Sequence, residues 1–386
     1  MLQIHAQNAR TRKLISGHLR HAQAMKLKQD FSSASSASTL GENINSYLIL
    51  YGYKYKNVDI NVERFINVVT HYISMYIEKR KTKNGIKYYL GHSFREGSKI
   101  HKIRKYLGKD LSKELIIDRK EKAEKLILDE INQYKIIKNP IETPLSESEI
   151  KFIENIEKNQ KLRVFHLSEK EWELFSELFT YNTNAIEGSE LNSGEVKEIL
   201  ENDKWPDKPK EDIAETYGVN EAISLIRKTK EHISLNLIRE LHKMVFKNSK
   251  HFAGEFRKPG EEVVVRNGLG NIVHMGAPQS RVISLLNELI KWYDKYKDKY
   301  PGLILAAVIH NQFETIHPFR DGNGRVGRLL LNNILIKHNL PPVNIDFNNR
   351  REYYNSLQEY QKNKNLKPTL DLILKEYKSL KRKLKR

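Results

Sequence analysis

Between residues 301 and 338 the chain reads as two helices separated by one short break that holds Gly322 and Gly324. The first helix, predicted over 301–315, is strongly apolar, with Leu303, Ile304, Ala307, Val308 and Phe313 available to a core. His317-Pro318 ends it, because the residue before a proline avoids the helical region. Asp321-Gly322 predicts a tight loop in which glycine supplies a positive φ. The second helix opens near Asn323, and Val326, Leu329, Leu330 and Ile334 fall at i, i+3, i+4 and i+8 along it. A glycine-containing loop therefore hands over directly to a helix N-terminus.

The surrounding sequence is also helical. Apolar periodicity and capping signals predict helices over 146–160, 168–186, 193–201, 211–229, 234–246, 280–298, 323–338, 350–361 and 367–383. Asn139-Pro140 and Thr143-Pro144 mark a linker before them. Upstream, 76–109 reads as a β-meander: a strand over Tyr76 to Lys81, a turn at Asn84-Gly85, a strand over Ile86 to Phe94, a turn at Glu96-Gly97, then Ser98 to Leu107. A charged helix follows over Lys113 to Tyr134. Residues 1–75 carry a Ser/Ala-rich piece from Phe31 to Leu40 with too little apolar content to pack. This stretch is expected to be disordered, or an extension preceding a true start at Met75. Its basic, serine-rich beginning mimics a transit peptide but lacks the apolar core of a secretory signal. The expected division is thus 1–75, 76–138 and 139–386.

The 386 residues contain no cysteine, which excludes disulfides, thiolate nucleophiles and cysteine metal sites and fits a reducing, cytoplasmic setting. No apolar run is long enough to span a membrane. The net charge is +19. Lysines spread over solvated faces account for much of it, but a basic balance also raises the prospect of acidic partners. The meander concentrates eleven basic residues against Glu78 and Glu96, with Tyr88, Tyr89 and Tyr106 interleaved. It reads either as a solvated basic face or as a nucleic-acid contact.

The break at 317–328 carries the chemistry. Free backbone N–H groups at a helix start, beside the positive end of the helix dipole, form an anion site. Arg325 and Arg328 lie three residues apart on one face, able to bind phosphates through forked bonds. Asp321 is a hard oxygen donor suited to Mg²⁺, and His317 a neutral imidazole able to take a hydroxyl proton. Singly, each residue type is more often structural. Together within twelve residues they describe phosphoryl or nucleotidyl transfer.

The segment His317-Pro-Phe-Arg-Asp-Gly-Asn-Gly-Arg-Val-Gly-Arg328 resembles the complete signature of the Fic (Fic/DOC) family, and Ala306 to Ile316 resembles its approach helix. The resemblance, covering about residues 140–365, implies a mostly α, Fic-type helical bundle with a β-hairpin flap, preceded by the small basic meander and helix. It implies an ATP- and Mg²⁺-dependent protein adenylyltransferase acting on a Ser, Thr or Tyr hydroxyl of a target protein or of itself. His317 would be the catalytic base and Asp321 the metal ligand. Gly322, Asn323, Gly324 and Arg325 would bind the phosphates, with Arg328 on the γ-phosphate. Phe319 would fix the loop from the core. Thr183-Asn-Ala-Ile-Glu187-Gly188 resembles the family's inhibitory motif, with Glu187 pairing Arg328, in the subclass whose inhibitory helix precedes the catalytic segment. The expected inhibitory helix is 168–188, the flap 261–276 and the catalytic core 301–338. Val263, Val264, Val265 and Arg266 would clamp the target by strand pairing. De-AMPylation, or transfer of another phosphate-containing group by the same site, stays open. So do a nucleic-acid-binding regulator acting through 76–109 and a homodimer.

Overall fold

The computed structural model describes residues 75–96, 99–138, 140–141, 145–159, 163–266 and 272–384. The readings made on 1–74, on Gly97 and Ser98, on most of the 139–144 linker and on residues 267–271 of the expected flap lie outside the described residues. What is described forms two compact units, divided between Asp129 and Glu130.

The first unit holds β1 (Tyr76–Thr82), β2 (Gly85–Glu96) and β3 (Lys99–Lys109), an antiparallel meander in the order β1-β2-β3. The Asn84-Gly85 turn sets the register: Thr82 pairs with Gly85 and Tyr76 with Gly91. A bulge between Tyr88 and Tyr89 shifts the β2–β3 register. Leu90 pairs with Lys105 and His92 with Ile103, so these four point to one face. Leu90, His92 and Ile103 are buried there. Helix α1 (Lys113–Lys138) extends past the predicted Tyr134 and crosses the division between the units.

The second unit is helical: α2 (Glu147–Lys158), α3 (Glu169–Ile186), α4 (Ser193–Asn202), α5 (Lys210–Lys228) and α6 (Leu235–Phe246), then after a hairpin α7 (Val282–Tyr296), α8 (Gly302–Ile316), α9 (Asn323–Lys337), α10 (Arg350–Asn363) and α11 (Lys367–Leu384). Each predicted helix is present, with ends within two residues of expectation. The local reason is capping. Ser146, Ser168 and Asn192 each accept from the backbone of a glutamate three residues on, and that glutamate reaches back to the cap. Every residue of α8 is buried, which makes it the central helix. Helix α9 packs beside it, with Val326, Leu329, Leu330 and Ile334 fully buried. The hairpin pairs β4 (Val264–Arg266) with β5 (Ile272–Met275) within the expected flap 261–276, and is bulged between Val265 and Arg266.

Candidate functional site around the α8–α9 loop

His317 caps α8 in the left-handed region, at φ 53° and ψ 62°. A residue with a Cβ pays about 1–2 kcal/mol for that conformation, so neighbours must hold it. Arg257 does so. Its guanidinium is buried and distributes its N–H groups over carbonyls: Nε to His317 at 2.9 Å, one terminal nitrogen to Glu261 at 3.0 Å, the other to Ala277 at 2.6 Å and Ile316 at 3.4 Å. Its backbone N–H donates to Pro318 at 3.0 Å. One side chain thus ties the foot of the hairpin to the backbone of the α8–α9 loop. The Gly276 N–H donates to Val263 and the Ala277 N–H to Ile316, both at 3.0 Å, fastening the hairpin to the end of α8. His274, on β5, hydrogen-bonds the Thr315 carbonyl at 3.0 Å and stands edge-on to the His317 ring, 6.2 Å between centroids.

The His317 Nδ1 lies 3.3 Å from the Glu314 carbonyl, one of the groups a helix end leaves unpaired. A proton on Nδ1 donated there leaves Nε2 as the basic atom. Burial pushes the imidazole pKa down to about 4, partly opposed by the Glu314 contact. The ring is therefore neutral at pH 7. The Glu314 carboxyl lies behind it, Oε2 3.9 Å from Nδ1, and burial raises its pKa to about 8.

Phe319 is fully buried, stacked on His242 with centroids 3.8 Å apart and on Phe256 at 5.1 Å. His242 accepts from the Gly254 N–H at 2.8 Å through Nδ1, which makes Nε2 the donor to the Asp321 carbonyl at 3.1 Å. Asn323 closes the loop with both ends of its amide: Oδ1 accepts from the Phe319 N–H at 2.8 Å and Nδ2 donates to the Phe319 carbonyl at 2.9 Å. Its side chain is therefore spent on the loop, and only its backbone N–H can face an anion. Gly322 has φ 80°, and a Cβ there would run into the Phe246 ring. Both facts require glycine.

Arg328 is buried. It donates to Thr183 Oγ1 at 2.8 Å, the Thr183 carbonyl at 3.0 Å, Tyr353 Oη at 3.1 Å and Glu187 Oε1 at 2.7 Å. Burial works against its charge, but Tyr353 and Glu187 outweigh burial and hold its pKa above the ordinary arginine value. Glu187 closes α3, and Gly188 follows at φ 98° as a helix-terminating glycine. The Glu187 carboxylate lies directly on Gly324: a Cβ on that glycine would overlap Oε1. It occupies the first turn of α9, where unpaired N–H groups and the helix dipole favour an anion.

Arg325 stands over the Phe246 ring, 4.5 Å to the centroid, and pairs with buried Glu215. Glu215 also accepts from Ser249 Oγ at 2.9 Å. The Lys250 ammonium sits 3.7 Å from both Glu215 and the Asp321 carboxylate. The Asp321 side chain is half exposed, with Oδ1 accepting from the Gly322 N–H at 2.7 Å. Among the described residues no three acidic or histidine side chains converge as a metal cage. A lone accessible carboxylate nevertheless fits Mg²⁺, which takes most of its shell from phosphates and water.

The structure thus brings together His317, Asp321, Gly322, Asn323, Gly324, Arg325, Arg328, Thr183, Glu187 and Gly188. Val263 precedes β4, and Val264, Val265 and Arg266 form it. Sequence reading missed Glu215, His242, Arg257, His274, Glu314 and Tyr353. Arg257, following Gly254-Glu255-Phe256 just before the hairpin, and Glu314, inside the 306–316 approach helix, carried local signals. The others look like ordinary members of helices or strands.

Fold and loop together define a helical-bundle protein with an anion seat at a helix N-terminus beside a buried imidazole. In comparison with known families, residues 232–335 match the Fic/DOC family. Over 188 residues the chain is 35% identical to protein adenylyltransferase fic-1 of Caenorhabditis briggsae, covering 47% of this chain and 36% of that protein. With the Caenorhabditis elegans protein of the same name the identity is 34%, covering 47% and 35%. The match therefore spans about a third of the length of these curated relatives. A solved structure of C. elegans Fic-1 covers 71% of this chain and 76% of its own at 25% identity and a TM-score of 0.48.

Proposed function

We propose that this protein is an adenylyltransferase that moves AMP from ATP to a hydroxyl of a target protein, or of itself, and that Glu187 restrains it. The observation that carries the reading is the internal carboxylate on Gly324: an anion seat filled by the chain's own acid, beside a neutral histidine.

In this reading the β- and γ-phosphates of ATP take the place of the Glu187 carboxylate. Arg328 turns from Glu187 to the γ-phosphate, and Arg325 and the N–H groups of Gly322, Asn323 and Gly324 receive the inner phosphates. The hydroxyl oxygen of the target forms a bond to the α-phosphorus, and the bond from that phosphorus to the β-phosphate oxygen breaks. The hydroxyl proton passes to His317 Nε2 and pyrophosphate leaves. Mg²⁺ held at Asp321 would neutralise phosphate charge. The backbone of β4, including Val264, Val265 and Arg266, would hold the target segment by strand addition beside His317. Rate enhancement comes from positioning and from charge complementarity.

A charge-assisted hydrogen bond to a buried group is worth about 1.5–3 kcal/mol, which predicts a tenfold to roughly 150-fold gain when Glu187 is removed. The test is incorporation of label from α-labelled ATP into the protein and into lysate proteins. Glu187→Gly should label far more strongly than wild type, and Glu187→Gly/His317→Ala should not label. Equal labelling by all three proteins would overturn the assignment. Product mass after incubation with each nucleoside triphosphate decides whether adenine is selected.

A further inference from the structure

The sheet of the first unit sorts its side chains in a way the function above does not use. Strand pairing sends Tyr76, Glu78 and Arg80 of β1, Lys87 and Tyr89 of β2, and Lys102, Arg104 and Tyr106 of β3 to the face opposite buried Leu90 and Ile103. Tyr106 is 56% exposed and Tyr76 38%. The Tyr89 and Tyr106 rings lie 5.2 Å apart, the Arg80 guanidinium sits 5.1 Å over Tyr89, and the Lys102 ammonium 5.5 Å over Tyr76. Gly91 leaves room for this: a Cβ there would come within 3.0 Å of the Tyr76 ring. The single acid, Glu78, is shared by Arg80 and Arg104 at 2.8 Å and by Lys102 at 4.0 Å, so three cations surround one carboxylate. Together with Lys87 the face keeps a surplus of positive charge around three aromatic rings.

We propose that this face binds a single-stranded polynucleotide. Exposed tyrosine on an open sheet offers a flat apolar surface to an unstacked base, while interleaved Arg and Lys supply positive charge to the phosphates of the strand. A duplex keeps its bases stacked on one another and would leave Tyr106 without an apolar partner. An acidic protein would meet the cations, but only a polynucleotide carries a flat ring with every negative charge. The charge complementarity and the ring geometry therefore select the same occupant.

The test uses the full-length protein and fluorescein-labelled 20-nucleotide oligo(dT) and oligo(rU), read by anisotropy across 50–300 mM salt. A 20-base-pair duplex and heparin serve as the competing polyanions. Four cations contacting phosphates give a log–log salt slope of about −2 to −3. Tyr106→Ala should weaken single-strand binding roughly fivefold to 150-fold while leaving the melting temperature unchanged. Lys87→Gln/Lys102→Gln should flatten the slope by about 1.4. Lys79→Gln/Lys81→Gln removes equal charge from the other face of the sheet and should leave most of the affinity. The proposal is overturned by absence of single-strand binding, or by duplex or heparin binding as tight as the single strands. An unchanged affinity in Tyr106→Ala, or equal losses in the two double variants, overturns it as well.

Discussion

Arg257→Met keeps the volume of a long side chain and deletes the side-chain donors to the His317, Glu261, Ala277 and Ile316 carbonyls, of which Ile316 keeps the Ala277 N–H. Each buried carbonyl left without a partner costs about 1–3 kcal/mol, and local relaxation recovers part of that. The net expectation is a loss of about 3–5 kcal/mol, within the range for breaking a buried charged contact. The consequence for the proposed AMP transfer is more specific. His317 holds a left-handed backbone that is itself unfavourable by about 1–2 kcal/mol, and the Arg257 bond to its carbonyl is what opposes relaxation. Once released, the imidazole shifts while Arg325 and Arg328, seated on α9, stay in place. A displacement of about 1 Å at a reacting group lowers the rate about 100-fold. AMP transfer in a Glu187→Gly background should therefore show kcat down about 100-fold with KM for ATP unchanged. Arg257→Lys, which keeps the charge but lacks the fork, should recover only part of the loss. The measurement is steady-state labelling at a temperature where circular dichroism shows each variant folded. Wild-type kcat in Arg257→Met, or a loss carried entirely by KM for ATP, would refute the reasoning.

Three further outcomes are expected. Glu187→Gly leaves the buried Arg328 with only Thr183 and Tyr353, so the melting temperature without nucleotide should fall below wild type, and saturating ATP should raise it by a larger increment than in wild type. Gly322→Ala combines left-handed strain with overlap on Phe246, together about 2–5 kcal/mol, a drop on the order of 10 °C by calorimetry for a unit of this size. Burial lowers the His310 pKa to about 3 and that of His338 to about 4. Unfolding returns them to about 6.5, so the unfolded state binds more protons. Their stabilisation is full above pH 6.5 and is lost as pH falls toward 4. Glu314, raised to about 8, acts oppositely: its contribution is present below about pH 4.5 and lost as pH rises through 8. Melting curves should thus show Glu314→Gln losing less stability than wild type between pH 6 and 8.

The helices were legible because their signals are local. Ser146, Ser168 and Asn192 announce helix starts through the glutamate three residues on, and the period of apolar residues announces the buried stripe. The meander was legible from Asn84-Gly85 and alternation. Its bulge at Tyr88/Tyr89 was not, because a one-residue insertion leaves no compositional trace. Glu215 shows the same limit at the site. In α5 it looks like one more charged residue on a helix, yet it is buried under Arg325, 110 residues away in sequence.

The sequence by itself determined which side chains the loop carries and in what order. His317, Asp321, Gly322, Arg325 and Arg328 are close in the chain, so a cap, a positive-φ glycine and a helix start suffice to order them along one turn of backbone. Tertiary structure alone decided what surrounds that loop. It set Glu187 of α3 on Gly324, turned Asn323 inward to close the loop, and brought Arg257 beneath His317. The physical reason is that periodicity states which face of an element is buried but not which partner covers it. That choice is made only when helices distant in sequence pack and their buried polar groups must each find a mate.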